Sequence, residues 1–157
     1  MMRAMLRLSS GENGKAPFPR KGSARAPQAR AAPPLRILIA DDDPDTVLTL
    51  ATLLRLEGHE VREELGGREA LEAERAFMPD VVLLDIGMPQ VTGYEVARQL
   101  RERYAREGKR GPLLVAVTCY QQASDKILAE LCGFDHHVGK PFDARALLKL
   151  LPGKDEK

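Results

Sequence analysis

The sequence predicts an α/β fold built on a doubly wound, five-stranded parallel sheet, and three observations support this prediction. Five short apolar runs alternate strictly with five helical patterns between residues 35 and 151. The runs at 35–40 and 81–85 are almost continuously apolar, as is typical of parallel strands that are buried on both faces. Right-handed crossovers between such strands place helices on both sides of the sheet.

The first strand and helix have clear boundaries in the sequence. LRILIA, residues 35–40, is the first strand, and Pro44 suits a first helical position because that position does not need a backbone N–H. Asp43 is then the expected cap of the helix, and the acid after Pro44 complements the helix dipole. The leucines that follow predict a broad apolar stripe that extends to Leu56, and Gly58 is expected to end the helix.

The later elements follow the same alternation. HEVREEL, residues 59–65, has charged residues on one side and is therefore expected at an edge of the sheet. VVLLD, residues 81–85, is the most apolar run and is expected to be the most buried strand. The fourth helix is predicted to begin at a Ser124 cap and to end at Gly133. The remaining elements are predicted as helices at 66–78, 94–107 and 143–151 and as strands at 113–118 and 134–139.

Residues 1–34 differ from the rest of the chain in composition. They contain seven Lys/Arg and one acid, a net charge of +6, whereas residues 35–157 contain 17 Lys/Arg and 22 acids, a net charge of −5. The first segment is rich in Pro, Ala and Arg without an apolar period, which predicts a disordered tail. Weak contact with nucleic acid or acidic surfaces, a transit peptide and translation from an upstream start codon remain open for it. A folded domain is predicted at 35–151 and a short polar tail at 152–157.

Composition also limits the cellular setting. No apolar run approaches the roughly 20 residues that cross a membrane. The two cysteines, Cys119 and Cys132, show neither metal-ligand spacing nor a disulfide framework, so both are interpreted as small core residues in a reduced protein. We therefore expect a cytoplasmic protein with no membrane partner.

Polar residues gather where the predicted strands end. Asp41 and Asp42 follow the first strand, Asp85 ends the third, Thr118 ends the fourth and Lys140 follows the fifth. Ligands of open parallel sheets bind outside the carboxyl ends of the strands, so these groups should converge. Clustered carboxylates require a counter-charge, and oxygen ligands suit Mg²⁺. With a metal and an ammonium nearby, a carboxylate could attack phosphorus and form an aspartyl phosphate.

Each of these residues also has a simpler interpretation. Asp85 alone could be a turn former, and Thr118 alone could be an ordinary β-branched strand residue. His136 and His137 could suggest a metal site, but adjacent strand residues point to opposite faces and would chelate poorly. The site interpretation is preferred because Lys140 and the acidic pair occur in register with Asp85.

Together these motifs resemble the receiver domain of two-component response regulators. ADDDPD, VVLLDIGMPQVTGYE, AVT and GKPF occur in the family's order, and the resemblance covers residues 35–151. It implies a flavodoxin-like sheet with strand order 2-1-3-4-5. The stretch FDHHVGKPFD looks closest to receivers that work with hybrid sensor kinases.

The resemblance also implies a role for each residue of the cluster. These roles are Asp85 as phosphoacceptor, Asp41 and Asp42 as the acidic pair that holds Mg²⁺ together with Asp85, Gly87 as a backbone-carbonyl ligand, Thr118 as switch hydroxyl, Lys140 as phosphate contact before a cis Lys140–Pro141 bond, and His137 at the aromatic-switch position. Tyr or Phe is commoner at the last position. His137 has less apolar surface and can carry charge, so this chain departs from the family's pattern there.

The implied function is a phosphorylation-activated switch rather than an enzyme, with Mg²⁺-dependent self-phosphorylation and slow autodephosphorylation. A sensor histidine kinase or phosphotransfer protein would supply the phosphoryl group. Only PGKDEK follows the last helix, so a stand-alone receiver is expected, with output through a protein that binds the face formed by helix 4, strand 5 and helix 5.

Two other functions fit the sequence less well than a phosphorylation-activated switch. An aspartate-nucleophile phosphohydrolase usually has a second Asp two residues after the nucleophile, where this chain has Gly87. A nucleic-acid or flavin binder is disfavoured because residues 35–157 are acidic and no glycine-rich loop follows the first strand; only the basic tail could bind DNA weakly.

Overall fold

The computed structural model describes residues 33–153, and within them five strands alternate with five helices. The elements are β1 Arg36–Ala40, α1 Pro44–Leu56, β2 Glu60–Glu64, α2 Gly67–Phe77, β3 Val81–Leu84, α3 Gly93–Arg106, β4 Leu113–Thr118, α4 Ala123–Cys132, β5 His136–Gly139 and α5 Ala144–Leu150. All strand pairs are parallel and their order is β2-β1-β3-β4-β5. The predicted doubly wound fold, the implied strand order and the edge position of β2 are confirmed.

Two apolar layers enclose the sheet. Helices α2, α3 and α4 cover one face, and α1 and α5 cover the other. Successive residues of β3 alternate between the layers, so that Val82 and Leu84 pack on one side and Val81 and Leu83 on the other. All four are at most 1% exposed, as expected for a central parallel strand.

The register of the strands determines which residues meet at the carboxyl edge of the sheet. Ala40 of β1 lies opposite Leu84 of β3, so the residues that follow them, Asp41 and Asp85, leave the sheet side by side. On the other side of β3, Leu84 is paired with Ala116 of β4. Thr118 and Gly139 are partners in β4 and β5, which brings the following Lys140 to the same edge.

A glycine allows α3 to begin close to this edge. A Cβ atom on Gly93 would lie 2.4 Å from the backbone carbonyl oxygen of Asp85, a distance that no side chain tolerates. Thr92 caps the helix in a capping box with Glu95. The TGYE segment therefore holds the start of α3 against the backbone of Asp85.

The helix boundaries confirm some predictions and correct others. Asp43 caps α1 as predicted, accepting a hydrogen bond from the backbone N–H of Asp45. The predicted Ser124 cap of α4 is wrong: the helix begins at Ala123, because the Asp125 carboxylate accepts a hydrogen bond from the N–H of Gln122 at 2.9 Å. Gly133 ends α4 with a φ of 102°, as predicted.

Two apolar residues lie outside the core in which they were predicted. Leu56 is 81% exposed, because it lies two residues, or about 200°, around the helix from the buried Leu54. Cys119 is exposed just beyond β4, whereas Cys132 is half-buried, and neither forms a disulfide. The predicted disorder of the basic tail concerns residues that lie, apart from Pro33 and Pro34, outside the described range. Within 33–153, no helix is both long and apolar enough to cross a bilayer.

Candidate functional site

Three carboxylates meet at the carboxyl edge of the sheet. Asp41, Asp42 and Asp85 each present an oxygen atom, and these atoms lie within 4.8 Å of one another. Asp41 is 2% and Asp85 9% exposed, whereas Asp42 faces solvent. An all-oxygen set of this kind, with one side open to water, fits Mg²⁺, which retains several water ligands.

Lys140 provides the positive charge of the cluster. Its Nζ donates a hydrogen bond to Oδ2 of Asp41 at 2.5 Å and lies 3.8 Å from Oδ1 of Asp85. Burial by itself would lower the pKa of Lys140, but the hydrogen bond to Asp41 and the attraction of Asp85 raise it above its usual value. The side chain therefore stays protonated and faces both acids.

Asp85 carries the perturbed carboxylate of the site. Burial is the largest cause that raises its pKa, repulsion by Asp41 adds to the rise, and Lys140 acts in the opposite direction. Its backbone N–H donates to the carbonyl of Ala40 at 2.9 Å, which fixes the residue at the end of β3. The charged form of the Asp85 carboxylate is thus destabilised by burial and by the neighbouring Asp41. A bound metal ion would stabilise this charge, and a covalent bond to a phosphoryl group would remove it from the carboxylate.

Asp43 and Asp45, the next two acids after β1, lie at the start of α1, Asp43 as its cap and Asp45 in its first turn. The pKa of Asp43 is lowered, mainly by the hydrogen bond from the Thr46 hydroxyl and then by that from the backbone of Asp45. The backbone N–H of Asp43 in turn donates to Oδ1 of Asp41 at 2.9 Å. The predicted division of these acids between a helix cap and the acidic cluster agrees with this geometry.

Thr118 is buried beside this edge, with 1% of its surface exposed. Its Oγ1 accepts a hydrogen bond from the backbone N–H of Tyr120 at 3.2 Å. The hydroxyl proton is not used in that bond, so it is free to be donated to another oxygen. The Lys140–Pro141 peptide bond that follows β5 is cis, as the resemblance implied.

His137 lies in β5 on the side of the sheet that α4 covers, opposite Ala116. It is half-buried, and its Nε2 atom is buried without a hydrogen-bond partner among the described residues. His136, on the other side of the strand, is exposed. The two imidazoles point to opposite sides of the strand, which is consistent with the argument against a shared metal site.

Three residues of this region were given no chemical role from the sequence, although Tyr120 and the QQASD turn after it were expected to line the rim of the site. Gly93 lies against the Asp85 backbone, the Tyr120 ring lies over Gly87, and the Gln121 amide donates to the Lys140 carbonyl at 3.0 Å. The TG pair at the start of α3 could have indicated the first contact, because a glycine at a helix start often marks a close approach. The other two depend on how separate loops meet.

Among curated proteins, two relatives illustrate the similarity. PilH of Pseudomonas aeruginosa is 35% identical over 116 residues, which are 74% of this chain and 93% of that protein. The response regulator MprA of Mycolicibacterium vanbaalenii is 37% identical over 115 residues, 73% of this chain and 48% of that protein. The chain therefore spans nearly the whole of the first relative and about half the length of the second.

Solved structures with the same fold include two receiver proteins. The receiver domain of Saccharomyces cerevisiae Ssk1, crystallised with the histidine phosphotransfer signalling protein Ypd1, has a TM-score of 0.70 at 26% identity, covering 75% of this chain and 86% of that one. The chemotaxis protein CheY4 of Vibrio cholerae has a TM-score of 0.67 at 26% identity, covering 74% and 95%. Both are similar to this chain over its α/β domain.

A family comparison agrees with these pairwise similarities. Residues 37–152 match the response regulator receiver domain, which covers well over half of the chain. Receiver domains are signalling switches of two-component systems and generally bind Mg²⁺, which suits the acidic cluster of this structure. The chain belongs to the response regulator receiver domain family.

Proposed function

We propose that the chain accepts a phosphoryl group onto Asp85 and signals through the change that follows. The observation that carries this proposal is the position of the Lys140 ammonium, 2.5 Å from Asp41 and 3.8 Å from Asp85, at an edge where three carboxylates meet. One cation among three acids leaves the cluster short of positive charge. It is therefore suited to a metal ion and a phosphoryl group together.

The proposed transfer uses the chain's own groups in distinct roles. An Oδ atom of Asp85 attacks phosphorus, and the phosphorus–nitrogen bond of a donor phosphohistidine breaks. Lys140 and the Thr118 hydroxyl then contact two of the phosphoryl oxygens. Mg²⁺, held by Asp41, Asp42, Asp85 and the Gly87 carbonyl, would supply the remaining neutralisation of charge on the transferring group.

We expect one transfer per activation and only slow release of phosphate. Gly87 has no side chain to act as a general acid or base two residues after Asp85. A phosphohydrolase would need such a group to protonate its leaving oxygen. Steady turnover of a small phosphate ester would favour the hydrolase alternative.

The partners follow from the same chemistry. A phosphohistidine donor is a sensor histidine kinase or a phosphotransfer protein, and the Ypd1 complex shows such a protein bound to a related receiver domain. Phosphohistidine is made with ATP, so we place the reaction in the cytoplasm. The folded domain is taken as residues 35–151, in agreement with the family match over 37–152.

The output surface is proposed on α4, β5 and α5. Helix α4 buries only Ala129 and exposes large apolar residues, Ile127 at 58% and Leu131 at 79%. An apolar helix face without a partner on the same domain is typical of a protein contact. Only residues 119–122 separate Thr118, the last residue of β4, from helix α4, so a movement of Thr118 would be transmitted to the helix.

The test is a labelling experiment with a matched control. The protein is incubated with Mg²⁺ and acetyl phosphate, and its intact mass is measured before and after treatment with base. We expect one base-labile phosphoryl group on the wild type and on Asp45→Asn, which changes an exposed acid at the start of α1. Asp85→Asn should take no label. An unlabelled wild type, or a labelled Asp85→Asn, would contradict the proposal.

A further inference from the structure

A wide cavity lies at the opposite end of the sheet from Asp85. It is formed where helices α2 and α3 end and strands β3 and β4 begin, which is the amino edge of the parallel sheet. Its volume is about 1250 Å³. Small-molecule sites in proteins typically have volumes of roughly 300–1,000 Å³, so this cavity has room for a ligand of considerable size.

Positive charge is concentrated around this cavity. Six of the 17 Lys/Arg residues between 35 and 157 line it, together with four of the 22 acids, which leaves 11 bases and 18 acids for the rest of that range. The cationic members of the wall are Arg75, Arg101, Arg103, Arg106, Lys109 and Arg110. The amino edge is therefore basic on a domain that is otherwise strongly acidic.

Each acid on the wall already has a donor within the domain. The donors are the side chains of Arg103 and Tyr104 for Glu74, the backbone N–H of Arg36 for Asp80, the Lys109 ammonium for Glu107 and the Arg101 guanidinium for Asp135. The acids are thus occupied by groups other than the remaining arginines of the cavity.

Three arginines of the wall have no acceptor. Arg75, Arg106 and Arg110 are exposed, and none of them forms a hydrogen bond or an ion pair with another residue in the range 33–153. Arg75 and Arg106 lie in the last turns of α2 and α3, where a cation complements the helix dipole. That role leaves their guanidinium donors unused, and Arg110 lies outside any helix.

The loop that carries Arg110 is held in place from both ends. The backbone N–H of Lys109 donates to the carbonyl of Tyr104 at 3.0 Å, and Nη1 of Arg101 donates to the carbonyl of Pro112 at 3.0 Å. Between them, Gly111 lies against the Tyr104 ring, where a Cβ atom would be 3.2 Å from two ring carbons. The backbone around Arg110 is therefore ordered before any ligand binds, which lowers the entropic cost of binding.

We propose that this cavity binds an anion that carries several phosphate groups, such as a nucleoside triphosphate or inorganic polyphosphate. The phosphate contacts are Arg75, Arg106 and Arg110, because a planar guanidinium with unused donors matches phosphate oxygens in pairs. Met78, which is 65% exposed on the same wall, offers apolar surface to a nucleoside. The inference does not depend on phosphoryl transfer to Asp85, which lies at the other edge of the sheet.

The ends of the two helices explain why several negative charges are required. The carboxyl ends of α2 and α3 bring partial negative charge to the cavity, which opposes the binding of any anion. A singly charged anion would gain little from one exposed arginine in this setting. A phosphate chain can contact the three arginines at once.

The experiment measures binding to the full-length protein by isothermal titration calorimetry. The ligands are ATP and inorganic tripolyphosphate, in EDTA so that no metal ion links them to the acidic cluster. The variants are Arg75→Gln, Arg106→Gln, Arg110→Gln and the triple substitution. Arg68→Gln is the matched control, since Arg68 is exposed in the first turn of α2, at the other end of the helix from Arg75. Thermal unfolding confirms that each variant is folded.

We expect each single substitution to weaken binding about tenfold, because it removes a charge-assisted hydrogen bond, and the triple substitution to weaken it further. Arg68→Gln should bind as the wild type does. Tighter binding of ATP than of tripolyphosphate would assign a nucleotide, and equal affinity would assign the phosphate chain alone. Amide NMR spectra should show ligand-induced shifts at Gly108 and Gly111 but not at Gly87.

Three results would overturn the proposal. The first is a wild type that binds neither ligand. The second is equal binding by the wild type and the triple variant, which would place the ligand on other cations, such as those of residues 1–34. The third is a DNA duplex that binds more tightly than both ligands and loses affinity in the triple variant, which would assign a nucleic-acid surface instead.

Discussion

Replacing Lys140 with methionine should destabilise the domain, and Mg²⁺ should compensate for much of the loss. The substitution keeps an unbranched side chain one atom shorter than that of lysine but removes the ammonium that hydrogen-bonds to Asp41 at 2.5 Å. Asp41 is 2% exposed, so its carboxylate would stay buried with Asp85 as a neighbour and without a cation. The expected cost is that of an uncompensated buried charge.

The magnitude follows from the burial of the pair. Removing one partner of a buried ion pair costs about 3–5 kcal/mol. The Lys140 side chain is 17% exposed, so solvent screens the pair partly and we take the lower end, about 3 kcal/mol. For a domain of this size, 1 kcal/mol lowers the Tm by about 4 °C, which gives a loss of about 12 °C without metal.

The assay is differential scanning calorimetry of the wild type and Lys140→Met, each with EDTA and with saturating Mg²⁺. A bound divalent cation would restore positive charge beside Asp41, and the variant has no ammonium that competes for the acids. We therefore expect Mg²⁺ to raise the Tm of the variant more than that of the wild type. Lys126→Met, which removes an exposed lysine on α4, is the control and should differ little from the wild type.

Two results would refute this reasoning. A loss in EDTA as small as that of the Lys126 control would mean that the Lys140–Asp41 pair behaves as a surface ion pair. A loss of full size that Mg²⁺ does not reduce would mean that the acidic cluster does not hold the metal.

Further predictions concern the neighbours of this pair. Burial and Asp41 raise the pKa of Asp85, so the contribution of this carboxyl group to the stability of the domain falls as pH rises through that pKa. Asp85→Asn should therefore raise the Tm at pH 7 without metal. Calorimetry should show this gain in Tm shrinking as pH falls toward the unfolded-state pKa of 3.8. Gly93→Ala places a Cβ 2.4 Å from the Asp85 carbonyl oxygen and should lower the free energy of unfolding in urea by about 1–3 kcal/mol. Burial and the hydrogen bond to the Glu74 carboxylate raise the pKa of Tyr104 to about 12. Ultraviolet titration should show a lower pKa of Tyr104 in Glu74→Gln. The control Glu72→Gln, which changes an exposed acid on α2, should leave the pKa of Tyr104 unchanged.

The cluster could be predicted from sequence because its members directly follow strands. Once the alternation of strands and helices indicated a parallel sheet, the residues after each strand had to share one edge. Asp41, Asp85 and Lys140 are 44 and 55 residues apart along the chain, yet the register of β1, β3, β4 and β5 brings them within hydrogen-bond or ion-pair distance. Their roles in phosphotransfer remain predictions that the labelling experiment tests.

The start of α4 could not be predicted because several residues compete to cap it. Gln122, Ser124 and Asp125 all carry polar side chains that suit a helix start. The structure places the cap at Gln122, because Asp125 reaches back to its N–H. That choice depends on how the loop after β4 leaves the sheet, which local sequence does not determine.

The contacts of Tyr120 and Gln121 could not be predicted from the sequence for a different reason. Tyr120 contacts Gly87 in the loop after β3, and Gln121 contacts Gly139 at the end of β5. Neither glycine has a positive φ that would distinguish it in the backbone. An exposed tyrosine and glutamine in a loop are ordinary surface residues until the neighbouring loops are in place. Only the folded structure shows that the two side chains contact backbone beside Asp85 and at Lys140.

The position of the phosphoryl group can be determined directly. After labelling with acetyl phosphate and Mg²⁺, reduction with borohydride converts an aspartyl phosphate to homoserine, and tandem mass spectrometry of the peptides shows its position. We expect homoserine at position 85 and at no other aspartate. Homoserine at Asp41 or Asp42, or no conversion at all, would contradict it.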